Sequence, residues 1–183
     1  MMEKSALIIL ANGFEEIEAV AVIDILRRAG VAVTVAGLDQ KLISSSRQIR
    51  IEADVELVQL ETRLFDAVIL PGGEPGTTHL QESALVVSVL HRHKKADKWI
   101  CAICAAPRIL NQLGLLHGKK ATSFPGTQPK MTDCIYLEDD VVVESDVITS
   151  RGAGTALAFG YAIAEVLTSR ELVLKLKDAM VFH

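Results

Sequence analysis

Apolar and polar positions alternate between two regimes along this chain. Ala6–Leu10 (ALIIL) is a continuous apolar run without alternation, the pattern of a strand buried on both faces. A loop, Ala11–Gly13, follows, and Glu15–Ala29 then takes a helical pattern. Its acids Glu15, Glu16 and Glu18 sit at the start and Arg27 and Arg28 at the end, matching the helix dipole, with Gly30 as the stop. Val31–Ala36 returns to strand, and a strand–helix–strand unit of this length predicts two parallel strands. Beyond a loop over Gly37–Ser46, short strands are expected at Ile49–Ile51 and Val55–Leu57. Ala67–Leu70 reads as a buried strand stopped by Pro71-Gly72-Gly73, and Ser83–Lys95 as a helix with a basic end. Trp99–Ile103 is the next strand, running into Cys104-Ala105-Ala106-Pro107 and a helix that Gly114 ends. Short strands at Ala121–Phe124, Cys134–Leu137 and Val141–Glu144 lead to a last one at Val147–Ser150. Gly152 and Gly154 open a helix over Thr155–Leu167, and Ser169 caps a final one that ends near Lys177.

The alternation of strand and helix predicts an α/β sandwich with a mostly parallel sheet, as one domain over residues 1–183. Ligand sites in such sheets lie at the carboxyl ends of the strands. Four loops are thereby nominated: Ala11–Gly13, Pro71–Thr78, Cys104–Pro107 and Ser150–Gly154.

Composition narrows the picture. The chain has 183 residues, 50% of them hydrophobic but only 4% aromatic, so aliphatic side chains must build the core. A formal charge of −4 and a pI near 5.7 imply no basic face, which argues against nucleic acid as a specific partner. The opening MMEKSALIIL has no secretory pattern and no run reaches transmembrane length, so a cytoplasmic protein without membrane contact is expected. Three scattered cysteines form neither a disulfide framework nor a zinc site, and no metal or cofactor is implied.

Cys104 is the candidate reactive centre. A strand that ends in cysteine and turns at once into a helix exposes the sulfur at the top of the sheet, as in a nucleophile elbow. A helix N-terminus favours thiolate and lowers a cysteine pKa from ~8.5 into the ~3.5–7.5 range. Cys101 completes a C-x-x-C, but it lies inside the strand, ~10 Å away by extended geometry and on the opposite face by odd spacing. It is expected in the core. Glu18, three residues after Glu15 on one helix face, reads on its own as a solvated first-turn carboxylate, although its helix begins near the same end of the sheet, where a carboxyl could share a proton with the sulfur. Of the histidines, His91 and His93 are expected on an exposed helix end, His117 in a turn, and His79 beside the Pro71–Thr78 loop; His183 is the last residue.

Taken in order, ALIILANGFEEIEA (6–19), VTVAGL (33–38), LPGG (70–73), AICAAP (102–107) and TSRGAGTA (149–156) resemble the ThiJ/PfpI superfamily, and within it the DJ-one branch. The resemblance covers almost the whole chain. It implies a flavodoxin-like α/β sandwich and a homodimer, with the helix over Glu15–Arg28 at the interface. It implies that Cys104 is the reactive cysteine, that Glu18 is a protonated carboxyl beside it, and that the N–H groups of Gly73 and Ala105 form an oxyanion-type pocket. Glu15, Gly72, Phe124 and Ala153 are candidates for the pocket lining.

The activities that the resemblance implies are cysteine-dependent: glutathione-independent conversion of methylglyoxal to lactate, and removal of early dicarbonyl adducts from proteins or nucleotides. The alternative is an oxidisable stress sensor or redox-regulated chaperone with little turnover. A peptidase or amidase ranks below both, because Ala105 stands where protease-like members carry histidine. Animal members carry His-Pro where this chain has Phe124-Pro125, although some bacterial relatives share Phe-Pro. The family's Gly-Pro-Gly loop is Gly152-Ala153-Gly154 here.

Overall fold

In a computed structural model that describes residues 4–182, a seven-stranded sheet runs through the centre of the molecule. His183 lies outside the described residues. The strands are β1 (Ser5–Leu10), β2 (Ala32–Gly37), β5 (Val55–Glu56), β6 (Ala67–Leu70), β7 (Trp99–Ile103), β10 (Val141–Glu144) and β11 (Val147–Ser150). Two small sheets pair β3 (Leu42–Ser44) with β4 (Arg50–Glu52), and β8 (Lys120–Ala121) with β9 (Ile135–Tyr136). The central order is β10-β11-β7-β6-β1-β2-β5, parallel throughout except for the antiparallel edge pair β10–β11. Its five inner strands follow the doubly wound, flavodoxin-like order.

The unbroken apolar runs have a direct cause. Along β1, Ala6, Ile8 and Leu10 feed the core on one face, while Leu7 and Ile9 feed the core on the other. The same split divides Ala67 and Ile69 from Val68 and Leu70, and Cys101 and Ile103 from Ile100 and Ala102. Each inner strand is covered on both sides and needs no polar face. The first core is roofed by α1 (Glu16–Arg28) and α5 (Ala156–Leu167), with α6 (Arg170–Ala179) packed against α5. The second is covered by α3 (Ala84–Lys95) and α4 (Pro107–Gln112), together with Leu80 of α2 (Gly76–Glu82).

Where α1 crosses α5, a Cβ placed on Gly160 would lie 2.8 Å from Ile25 Cδ1. Helix ends follow the sequence signals: Glu15 and Ser169 cap α1 and α6 with their side chains, and Gly30 takes φ 76° after α1.

Four expectations need correction. The Gly37–Ser46 loop contains β3, whose hairpin with β4 lies outside the main sheet and sends Ile43 into the first core. The Pro71–Thr78 loop ends early, because α2 starts at Gly76 with the N–H and hydroxyl of Thr77 both donating to Gly73 O at 2.8 Å. His93 is not exposed but fully buried: its Nε2 accepts from Phe65 N–H at 3.0 Å and its Nδ1 meets Val89 O at 2.7 Å. Cys104 does not face away from Cys101, because a left-handed φ of 63° breaks the strand alternation and turns its side chain onto the first core, where Cys101 also lies. No described helix is long and apolar enough to cross a membrane.

Candidate active site

Cys104 sits just past the carboxyl end of β7 and is the first residue of the turn into α4, with Pro107 opening the helix. Positive φ at a residue with a side chain is uncommon and strained, and here two backbone hydrogen bonds hold it. The Cys104 N–H donates to Ser150 O, at the end of β11, at 3.0 Å, and its carbonyl accepts from Phe124 N–H at 2.8 Å.

The second component comes from the loop after β6. Gly72 N–H donates to Glu18 Oε2 at 2.7 Å, and Gly72 O accepts from Glu15 N–H at 2.9 Å. A Cβ on Gly72 would lie 2.7 Å from Cys104 Cβ and 2.8 Å from Glu18 Oε2, so only glycine lets the thiol and the carboxyl meet across this backbone. Gly73 takes φ 90°, and a Cβ there would lie 2.4 Å from Glu15 N.

The third component is the first turn of α1. Glu15 Oε2 accepts from Glu18 N–H at 2.8 Å, capping the helix and aiming Glu18 inward. Glu18 is 1% exposed. Its Oε1 has no conventional hydrogen-bond partner among the described residues, and its carboxyl contacts the Cys104 thiol.

Burial pushes the Glu18 carboxyl up to about 7, against the lowering effect of the Gly72 N–H. Burial and then the adjacent Glu18 carboxylate push the Cys104 thiol up to about 12, opposed by N–H groups of Ala105 and Gly73. The low thiol pKa expected from a helix N-terminus is therefore not met while Glu18 is ionised. The six-residue α4 is short, the sulfur is half-buried, and a second acid is beside it. Two contiguous buried acids do not both ionise near neutrality, so the pair retains a proton there.

The fold thus brings Cys104, Glu18, Gly72, Gly73 and Ala105 together, with Glu15 as the capping residue behind Glu18. Phe124 and Ala153 line an adjoining cleft of about 500 Å3, with Pro125, Asp140, Arg151 and Gly152. A Cβ on Gly152 would lie 4.0 Å from Cys104 Sγ and 3.7 Å from Phe124 Cδ2. The sequence put Gly152 in the nominated Ser150–Gly154 loop but not beside Cys104; that place follows from β11 pairing with β7, which spacing does not reveal. His79 lies elsewhere, at a cleft of about 300 Å3 with Asn12 and Asp39. His117 is exposed and paired with Asp133 at 2.7 Å. Cys101, Cys104 and Cys134 are all free, and no group of three or more potential ligands among the described residues could hold a metal ion.

Comparison with known proteins gives a consistent picture. The model of the DJ-1/PfpI family matches residues 4–166. The Drosophila melanogaster protein dj-1beta is 44% identical over 175 residues, 94% of each chain, and its crystal structure superposes with a TM-score of 0.96 over 100% of both. A Caenorhabditis elegans relative, named glutathione-independent glyoxalase DJR-1.2, is 37% identical over 172 residues, 92% of this chain and 91% of its own. The structure of Toxoplasma gondii DJ-1, oxidized, is 35% identical and covers 98% of each chain with a TM-score of 0.95. The chain belongs to the DJ-1/PfpI family, in its DJ-1 branch.

Proposed function

We propose that the protein is a cysteine-dependent glyoxalase or deglycase acting on methylglyoxal-like dicarbonyls or on their early adducts with proteins or nucleotides. The observation that carries this reading is a half-buried thiol in contact with a carboxyl whose proton burial retains, with two backbone N–H groups at the sulfur. The N–H groups of Ala105 and Gly73 at the sulfur favour the tautomer in which the shared proton has passed to Glu18 and the charge sits on Cys104, the form from which the reaction starts. The glyoxalase name of the C. elegans relative supports the substrate class.

The thiolate attacks the aldehyde carbon of methylglyoxal, and Glu18 gives its proton to the oxygen, yielding a hemithioacetal. The Glu18 carboxylate then removes the proton on that carbon and delivers it to the neighbouring carbonyl carbon, while the hydroxyl proton moves to the second oxygen. The aldehyde carbon is thereby oxidised to a thioester and the ketone carbon reduced to an alcohol, with no outside oxidant. Water adds to the thioester with loss of a proton to Glu18, the sulfur leaves as thiolate, and lactate departs. Purified protein should consume methylglyoxal without glutathione, and Cys104→Ser should abolish this. Wild-type turnover in Cys104→Ser would overturn the reading.

A second reading has its own support in the oxidized state of the Toxoplasma relative's structure. Here Cys104 is a stress sensor whose output is binding of unfolded chains. The thiolate attacks one peroxide oxygen, the O–O bond breaks and water leaves; a second equivalent of peroxide gives the sulfinate. Negligible dicarbonyl turnover with a gain of two oxygens on Cys104 under mild peroxide would favour it.

Self-association through α1 is also proposed. Ile17, Val20 and Ile49 are about half exposed and line one apolar cleft on that helix, the kind of surface that a second copy covers.

A further inference from the structure

The proposed chemistry needs the Gly73 and Ala105 N–H groups held at one sulfur, yet they come from different loops. Gly73 follows β6 and Ala105 follows β7. The pairing of β6 with β7 ends at Leu70 and Ala102, below both loops. Arg108 spans the gap between them, beside a Gln81–Gln112 hydrogen bond that joins α2 to the last turn of α4. Arg108, in the first turn of α4, is 10% exposed and directs its whole guanidinium across to the loop and to α2. Nη1 pairs with Glu74 Oε1 at 2.5 Å, Nη2 donates to Thr78 Oγ1 at 3.0 Å, and Nε donates to Gln81 Oε1 at 2.8 Å. Thr78 Oγ1 in turn donates to Glu74 Oε2 at 2.8 Å, so both carboxylate oxygens of Glu74 are engaged. Glu74 adjoins Gly73, and Arg108 N–H donates to Ala105 O at 3.3 Å.

We propose that Arg108 is a positioning residue for the reactive centre: by clamping Glu74 and α2 onto the first turn of α4, it fixes the separation of the two N–H groups that meet the Cys104 sulfur. A solvated ion pair has little such authority, because water screens it and two flexible side chains share it. Arg108 differs in being mostly buried and in using a planar fork on three acceptors, which defines direction as well as distance. Despite partial burial, the Arg108 and Thr78 hydrogen bonds hold the Glu74 carboxyl below the usual carboxylate range, so the clamp stays charged at neutral pH.

This proposal deepens the dicarbonyl reading, and its test separates the two. The pH profile of Cys104 alkylation by iodoacetamide is measured for wild type, Arg108→Ala, Arg108→Lys and Glu74→Gln, beside methylglyoxal kinetics and thermal midpoints. Arg108→Ala should slow alkylation at pH 7 and move its profile to higher pH. It should also lower kcat by up to about a hundredfold with little change in KM, the scale of misplacing a catalytic group by an ångström. Arg108→Lys, which keeps one charged contact but not the fork, should recover part of both. Glu74→Gln, at a half-exposed position that folding tolerates, should shift the alkylation profile in the same direction, and combining it with Arg108→Ala should add little. Unchanged alkylation profiles in Arg108→Ala and Glu74→Gln, whatever their thermal midpoints, would overturn the proposal. If wild type does not consume methylglyoxal but the profiles still shift, the positioning role stands and the dicarbonyl reading falls.

Discussion

Glu18 is where sequence, burial and chemistry meet most tightly. A carboxyl raised from 4.5 to about 7 by burial makes the native state bind its proton more tightly than the unfolded chain does. Stability from this group is complete below pH 4.5 and is lost as pH rises through about 7. Glu18 is fully buried, so the loss is on the order of 3 kcal/mol. Urea unfolding across this window should show wild type weakening relative to Glu18→Gln by about that amount; parallel curves would contradict the assignment. Gly72 makes a complementary prediction. Alanine there would press on Cys104 Cβ and Glu18 Oε2 together, so Gly72→Ala should cost about 1–3 kcal/mol as overpacking and reduce turnover at least tenfold by parting the pair. Retained activity, measured on folded protein, would show that the pair tolerates separation.

At the level of elements, α1 is the part whose position matters most, because it carries Glu18 into the sheet's carboxyl edge. Its height is set by α5 at Gly160. Gly160→Leu should push the helices apart and destabilise by about 1–3 kcal/mol, read from a denaturant midpoint. On the other face, α3 is tied down by His93, whose ring must stay neutral to accept from Phe65 N–H. Burial, the nearby Arg92 and Lys98 lower its pKa from 6.5. Protons therefore prefer the unfolded chain, and this contribution is lost as pH falls below 6.5, opposite in sign to Glu18. His93→Leu should remove that acid sensitivity while costing about 1–3 kcal/mol for the orphaned N–H. Much of this was legible beforehand. Apolar runs located the inner strands because each feeds two cores, and the strand-to-helix turn located Cys104. Three things were not. The burial of His93 depends on a non-local partner, Phe65; the β3–β4 hairpin has three-residue strands too short for a legible period, although Ile43 reaches the core; and Glu18 reads as a solvated first-turn acid until Gly72 is seen to meet it, so its place there rested on family resemblance.

For the whole molecule, the exposed apolar face of α1 predicts assembly. Lysine at Ile17 and Val20, which are 54% and 47% exposed, should leave the fold intact and convert a dimer to monomers in sedimentation equilibrium. An unchanged mass would direct the search to another face. The same architecture places two thiols three residues apart with opposite accessibility. Cys104 is half-buried at the mouth of the site, whereas Cys101 is 0% exposed beneath the sheet's two coverings. A thiol reagent followed by peptide mapping therefore runs two clocks in one tube. Labelling at Cys104 keeps time with the chemistry of the native protein, and labelling at Cys101 starts only when the sheet itself comes apart. Any ligand or substitution can then be sorted by which clock it slows.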